Sequence, residues 1–178
     1  MLDSFFKVTK FIPYQCVHTV YEIDFDKLYE QGKKIILTDL DNTLISYRQN
    51  QADERLIELG EYLKNTGFKI FIVTNNNEKR VVEFSKTFVI DGYLTKANKP
   101  SPKKIEMFIK ENKLQKEEII YMGDQLVTDI AGANNAGLES AFISTIDPSS
   151  QKWYTKINRL REKRIIRKIY KTDPASAK

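Results

Sequence analysis

Residues 34–44 read KIILTDLDNTL, an apolar run that ends in two aspartates two positions apart, Asp39 and Asp41. The run Ile35-Ile36-Leu37 does not alternate with polar residues, so it reads as a strand buried on both faces. Further strands follow at Lys69–Thr74 (KIFIVT), Tyr93-Leu94, Ile119–Met122 and Ser140–Ser144. Helical patterns fill the intervals. Over Asp53–Asn65, Asp53 can cap a helix whose Leu56, Leu59, Tyr62 and Leu63 recur at helical spacing, and Gly67 stops it. Glu78–Thr87 reads as a helix with Val81, Val82 and Phe84 inward. Ser101–Asn112 carries Pro102 in its first turn, where proline is tolerated. Thr128–Ala136 is the last helix expected in this alternation. Strands alternating with helices imply right-handed crossovers and an α/β fold, a Rossmann-like three-layer sandwich with a mostly parallel sheet. Such sheets bind ligands at the carboxyl ends of their strands, near the point where strand order reverses.

The residues at those ends carry chemistry. Side chains of a strand alternate with period two, so Asp39 and Asp41 are expected to share one face of a pocket. Unpaired, they repel and one pKa rises; a hard divalent cation such as Mg²⁺ relieves the repulsion. One carboxylate can then attack phosphorus while the other handles the leaving-group proton. An isolated Asp-x-Asp is more often a turn, because turns favour aspartate. Thr74-Asn75-Asn76-Asn77 supplies a hydroxyl and amides ahead of a helix, a ready anion site. Lys99, in Ala97-Asn98-Lys99-Pro100, can neutralise a phosphoryl group. In Gly123–Asp129 (GDQLVTD), Gly123 permits close approach, Asp124 faces the rim of Asp39, and Asp129 can orient a lysine or a metal-bound water. Each signal is ambiguous by itself. Four of them in series at four strand-to-helix junctions are not.

DLDNTL (39–44), VTNNN (73–77), Lys99-Pro100 and GDQLVTD (123–129) together resemble the haloacid dehalogenase superfamily over roughly residues 34–145. The resemblance implies that Asp39 is a nucleophile that becomes phosphorylated. It implies that Asp41 protonates the leaving group and then activates water, and that Thr74 and Lys99 hold the phosphoryl group. It places Mg²⁺ on Asp39, Asp124 and the main-chain carbonyl of Asp41, with Asp129 behind or reaching it through water. Substrate contacts are expected from Thr74, Asn75 and Lys99. The intervals Asp39–Thr74 and Thr74–Lys99, 35 and 25 residues, leave no room for a large cap domain. A capless site is open to a phosphate on something large. Tyr47 and Arg48, in the loop after the first motif, are candidate specificity contacts. The flanks Val20–Phe25 and Thr155–Arg159 are similar to the YqeG-like branch of subfamily IIIA, which itself resembles phosphatidylglycerophosphate phosphatase.

The 178 residues are 41% hydrophobic, enough to bury a core. The single cysteine, Cys16, excludes an intrachain disulfide, and the single histidine, His18, excludes a histidine-built zinc cluster. No stretch has the length and apolarity of a bilayer span or a signal peptide, so a cytoplasmic protein is expected. The net charge of +5 is uneven: residues 151–178 hold ten Lys/Arg against two acids, a net +8, and residues 1–150 are net −3. The expected organisation is a lead-in over 1–33, a catalytic domain over 34–150 and a basic helical tail over 151–178. The tail mixes cations with Trp153, Tyr154, Ile157, Leu160, Ile165, Ile166, Ile169 and Tyr170, which suits peripheral contact with an anionic membrane surface. The leading expectation is a Mg²⁺-dependent phosphatase for a lipid phosphate, phosphatidylglycerophosphate first. A nucleic-acid 3′-phosphate or a small phosphorylated metabolite is the alternative, and a non-catalytic phospho-ligand binder the third reading.

Overall fold

A computed structural model describes residues 8–150 and 160–167. Six strands, β1 (Gln15–Val17), β2 (Ile35–Thr38), β3 (Lys69–Val73), β4 (Gly92–Leu94), β5 (Ile119–Gly123) and β6 (Glu139–Ile143), form one sheet. Its order is β1-β6-β5-β2-β3-β4, and every pair is parallel. Between residues 8 and 150, the α-helices α1 (Phe25–Glu30), α2 (Glu54–Thr66), α3 (Glu78–Ser85), α4 (Lys103–Glu111) and α5 (Ala131–Asn135) accompany it.

The register builds two cores. Ile36 of β2 lies opposite Ile70 of β3 and Ile120 of β5, and these three pack beneath Leu56, Leu63, Val81 and Phe84 of α2 and α3. One residue on, Leu37 lies opposite Phe71 and Tyr121 on the other face, against Ile105, Phe108 and Ala133 of α4 and α5. Both faces of β2 are therefore covered, which is why its sequence is continuously apolar. Each such side chain contributes about 1.5–3 kcal/mol by leaving water.

The two central strands leave the sheet centre in opposite directions. β2 crosses to β3 on one side and β5 crosses to β6 on the other. The order reverses between them, and Asp39 and Asp124 are the residues that follow their last positions. No inserted domain separates β2 from β3 or β3 from β4, only the 39–53 loop with α2 and then α3.

Local chemistry explains the boundaries. Asp53 caps α2 through the Leu56 N–H at 2.9 Å, and Gly67 ends it at φ 106°. Asn77 caps α3 through the Arg80 N–H at 3.2 Å. Two expected apolar positions face water instead. Val81 and Phe84 are fully buried, but Val82 is 43% exposed, because one step along a helix turns it about 100° off their face. Tyr62 is likewise exposed and donates its hydroxyl to Asp26. The helix expected over Thr128–Ala136 opens with a wide turn, Leu126–Ile130, in which the N–H groups of Asp129 and Ile130 both reach the Gln125 carbonyl.

β1 and α1, both before position 34, have no signal in the sequence. β1 is only three residues long, and α1 has one turn and a half, capped by Asp24 and seated by Phe25 and Leu28. Phe11 packs with Ala131 and with Ile165 of the helical stretch 160–167, and Glu162 accepts the Val127 N–H at 3.3 Å. That stretch exposes Leu160, Arg161, Lys163, Arg164, Ile166 and Arg167. The tail positions Trp153, Tyr154, Ile157, Ile169 and Tyr170 lie outside the described residues.

Candidate active site

Four loops at the carboxyl edge of the sheet bring the polar residues together. At the centre is Lys99, carried by the loop between β4 and α4. Its ammonium sits 2.7 Å from Asp39 Oδ1, 2.7 Å from Asp129 Oδ1 and 2.8 Å from the Val73 carbonyl, with 2% of the side chain exposed. The ring of Tyr121 lies 5.9 Å from it. The backbone of Lys99 is fixed by Asn75, whose Oδ1 accepts the Lys99 N–H at 2.8 Å and whose Nδ2 donates to the Lys99 carbonyl at 3.3 Å. Asn75 thus spends its side chain on holding Lys99 in place.

Asp39, Asp124 and Asp129 are all buried, and each offers one oxygen within 4.8 Å of the others. Asp124 accepts from the Thr145 hydroxyl at 2.9 Å. Asp129 accepts the Gln125 N–H at 3.0 Å with its second oxygen. Burial pushes the Asp39 carboxyl well above the usual carboxylate range; Lys99 opposes the rise, and Asp129, Asp124 and Asp41 add to it. Burial pulls the Lys99 ammonium down, but Asp129 and Asp39 outweigh it and hold lysine well above its ordinary value. Lys99 is therefore a fixed positive charge among three carboxylates. With all three carboxylates ionised the buried cluster carries a formal charge of −2, and hard oxygen donors at this spacing suit a divalent cation.

Gly123 has a different necessity from an approaching ligand. A Cβ there would lie 2.3 Å from Asp129 Cβ and 2.6 Å from its Cγ. The bare backbone of Gly123 is what lets the Asp129 side chain fold back toward Lys99.

Asp41 does not share the partners of Asp39. β2 ends at Thr38, and the chain turns at Asn42, whose φ is 66°. The Asp41 carboxylate meets Arg80, with Nε at 2.9 Å and Nη2 at 2.8 Å from Oδ1, while Asn76 Nδ2 is 3.1 Å from Oδ2. Arg80 was not among the residues singled out by sequence. It is the third residue after the Asn77 cap, a first-turn position that faces the strand ends, and that spacing was the available signal. Thr74 is buried beside Lys99's loop, its Oγ1 accepting the Asn76 N–H at 3.0 Å. Tyr47 is half-buried, its ring 5.7 Å from the Arg80 guanidinium. Arg48 is exposed and reaches Ser149 at 3.2 Å and Asp147 at 3.7 Å, which ties its loop to the segment after β6.

The sequence profile of the haloacid dehalogenase-like hydrolases matches residues 23–143, which spans five of the six strands and all four loops. The chain belongs to this family. A curated relative, "Probable phosphatase YqeG" of Bacillus subtilis (strain 168), is 39% identical over 156 residues, 88% of this chain and 90% of the relative. Two solved structures share the family's fold. The cobalt-bound deoxy-D-mannose-octulosonate 8-phosphate phosphatase of Haemophilus influenzae aligns at TM-score 0.53 and 11% identity, covering 75% of this chain and 88% of its own. The corresponding enzyme of Moraxella catarrhalis, in complex with magnesium and phosphate ions and a KDO molecule, aligns at TM-score 0.50 and 17% identity, covering 78% and 91%.

Proposed function

We propose that this hydrolase is a Mg²⁺-dependent phosphatase that cleaves a phosphate monoester through an aspartyl-phosphate on Asp39. The observation that carries the reading is the buried contact of Lys99 with both Asp39 and Asp129 at 2.7 Å, beside Asp124, at the switch point of the sheet. It is supported by the phosphatase name of the curated relative.

The residues divide the work as follows. Asp39 offers an oxygen to phosphorus from a position fixed by Lys99. Attack by a carboxylate on a phosphate is opposed by charge, and the Lys99 ammonium lowers that opposition while stabilising the equatorial oxygens of the transition state. Thr74, at the end of β3, and Lys99 form the phosphoryl subsite, and Asn75 positions Lys99. Asp41 gives a proton to the leaving oxygen and then takes one from water in the hydrolysis of the aspartyl-phosphate. Asp39 and Asp124, with the main-chain carbonyl of Asp41 and Asp129 in support, would hold Mg²⁺. The ion would supply Lewis-acid charge stabilisation and remove the repulsion among these carboxylates.

For the substrate we propose a membrane lipid phosphate, phosphatidylglycerophosphate in the first place. Two features support it. The absence of an inserted cap leaves the site open to a bulky leaving group. The exposed face of residues 160–167 presents Arg161, Lys163, Arg164 and Arg167 with Leu160 and Ile166, a pattern that suits an anionic leaflet. The protein would then act in the cytoplasm, peripherally on the inner face of the membrane. Phosphate release from phosphatidylglycerophosphate in mixed micelles tests this reading. A DNA 3′-phosphate and a small sugar phosphate serve as the other arms, and Asp39→Asn as the control. Preference for the lipid supports the proposal; preference for the DNA end moves the basic residues to a nucleic-acid role.

A further inference from the structure

We propose that Arg80 is a positioning residue that sets the Asp41 carboxylate on the leaving-group side of the site and couples it to the 46–50 loop. The inference rests on Asp41 being the group that exchanges the leaving-group proton. Arg80 stands on the first turn of α3 with 10% of its side chain exposed. Each nitrogen of its fork has a partner. Nε and Nη2 hold Asp41 Oδ1 at 2.9 and 2.8 Å, Nη1 donates to Asn50 Oδ1 at 2.7 Å, and Nη2 also reaches the Ser46 carbonyl at 3.3 Å. The Tyr47 ring lies against the same guanidinium. One planar cation therefore joins Asp41, the loop and α3.

The two oxygens of Asp41 are unequal. Oδ1 takes two charge-assisted contacts from Arg80, whereas Oδ2 meets the neutral amide of Asn76 at 3.1 Å. Oδ2 is the oxygen that can trade its partner for a leaving-group oxygen, and we assign the transferred proton to it. In the first step the Asp39–phosphorus bond forms, the ester P–O bond breaks, and the departing oxygen takes the proton from Asp41. In the second, a water oxygen bonds to phosphorus, the Asp39–phosphorus bond breaks, and Asp41 recovers a proton from that water. Both steps need Asp41 within hydrogen-bond reach, and a displacement of about 1 Å is enough to cost about a hundredfold. A lysine at position 80 supplies charge without the planar fork, so it does not replace arginine here.

The test compares kcat/KM for p-nitrophenyl phosphate, whose phenolate leaves without a proton, and phenyl phosphate, whose leaving oxygen has a pKa of about 10. This quantity reports events up to departure of the leaving group, and the ratio between substrates cancels any loss of folded enzyme. Arg80→Leu is expected to lower the phenyl-to-nitrophenyl ratio about tenfold, and Asp41→Asn to do the same. Arg80→Leu added to Asp41→Asn is expected to lower it no further, because the two act as one unit. Arg80→Lys is expected to leave the ratio low, and Asn76→Ala to shift it in the same direction by less. An equal loss on both substrates, an additive double variant, or full rescue by lysine overturns the positioning role while leaving the phosphatase reading intact. If Asp41→Asn itself leaves the ratio unchanged, the assignment of Asp41 fails and Arg80's role fails with it.

Discussion

Replacing Gly123 by alanine adds one methyl group at the place where Asp129 folds back. The new Cβ would sit 2.3 Å from Asp129 Cβ, and ordinary contact begins at 3.4 Å, so the aspartate must withdraw by about 1.1 Å. The neighbouring atoms are themselves held: Asp129 Oδ1 by Lys99 at 2.7 Å and Oδ2 by the Gln125 N–H at 3.0 Å. A shift of that size stretches the ion pair, and Lys99 is the residue that holds Asp39. Misplacement by about 1 Å corresponds to about a hundredfold in rate, or about 2.7 kcal/mol of activation free energy. Crowding in a packed interior costs about 1–3 kcal/mol of stability, roughly 2–12 °C in Tm for a chain of this size. Gly123→Ala is therefore expected to lose about two orders of magnitude in kcat on p-nitrophenyl phosphate and to melt a few degrees earlier. The assay is steady-state phosphate release with saturating Mg²⁺, beside a thermal melt. Activity unchanged in Gly123→Ala would refute the claim that the Asp129–Lys99–Asp39 chain positions the reactive carboxylate.

Other outcomes follow from the same geometry. The Asp39 carboxyl has a raised pKa in the fold, so the folded state binds more protons than the unfolded one between the ordinary carboxylate value and the raised value. Stability without metal is expected to fall as pH rises through that window, to recover with Mg²⁺, and to lose this slope in Asp39→Asn; urea midpoints in EDTA measure it. Lys99→Met leaves Asp39 and Asp129 without their shared ammonium, and is expected to lower stability by about 3–5 kcal/mol in denaturant unfolding. Gly60→Ala places a Cβ 2.7 Å from Phe88 Cε2, in the core under α2. It is expected to lower Tm through overpacking, about 1–3 kcal/mol, with kcat retained. Arg48→Ala removes an exposed link to Asp147 and Ser149, and a change in stability of under about 1 kcal/mol is expected in the same melts.

The central strands were legible because burial on both faces leaves a continuous apolar run, as in Ile35–Leu37 and Ile70–Val73. The strand ends were legible because polar side chains cluster where a parallel sheet stops. β1 and α1 were not, since three residues at a sheet edge and a helix of one and a half turns carry too little periodicity to register. Val82 shows the limit of reading a helix by apolar content alone: its place on the wheel, not its side chain, decides its exposure. The sequence brought out Asp39, Asp124, Asp129 and Lys99 as a set, and the structure brings these four into contact or near contact. Pairing Asp39 with Asp41 by strand alternation did not anticipate the turn at Asn42, which hands Asp41 to Arg80 and Asn76. Arg80 comes from the first turn of α3, 39 residues along the chain, and the fold brings it beside Asp41.

The most direct test of the account is to trap the covalent intermediate. Enzyme is mixed with Mg²⁺ and a ³²P-labelled phosphate monoester, quenched in acid within the first turnovers, digested, and mapped by mass spectrometry. The account predicts one hydroxylamine-labile phosphoryl group on Asp39 and none in Asp39→Asn, which is also expected to lose about four orders of magnitude or more in turnover. Label on another residue, or full turnover by Asp39→Asn, would contradict it.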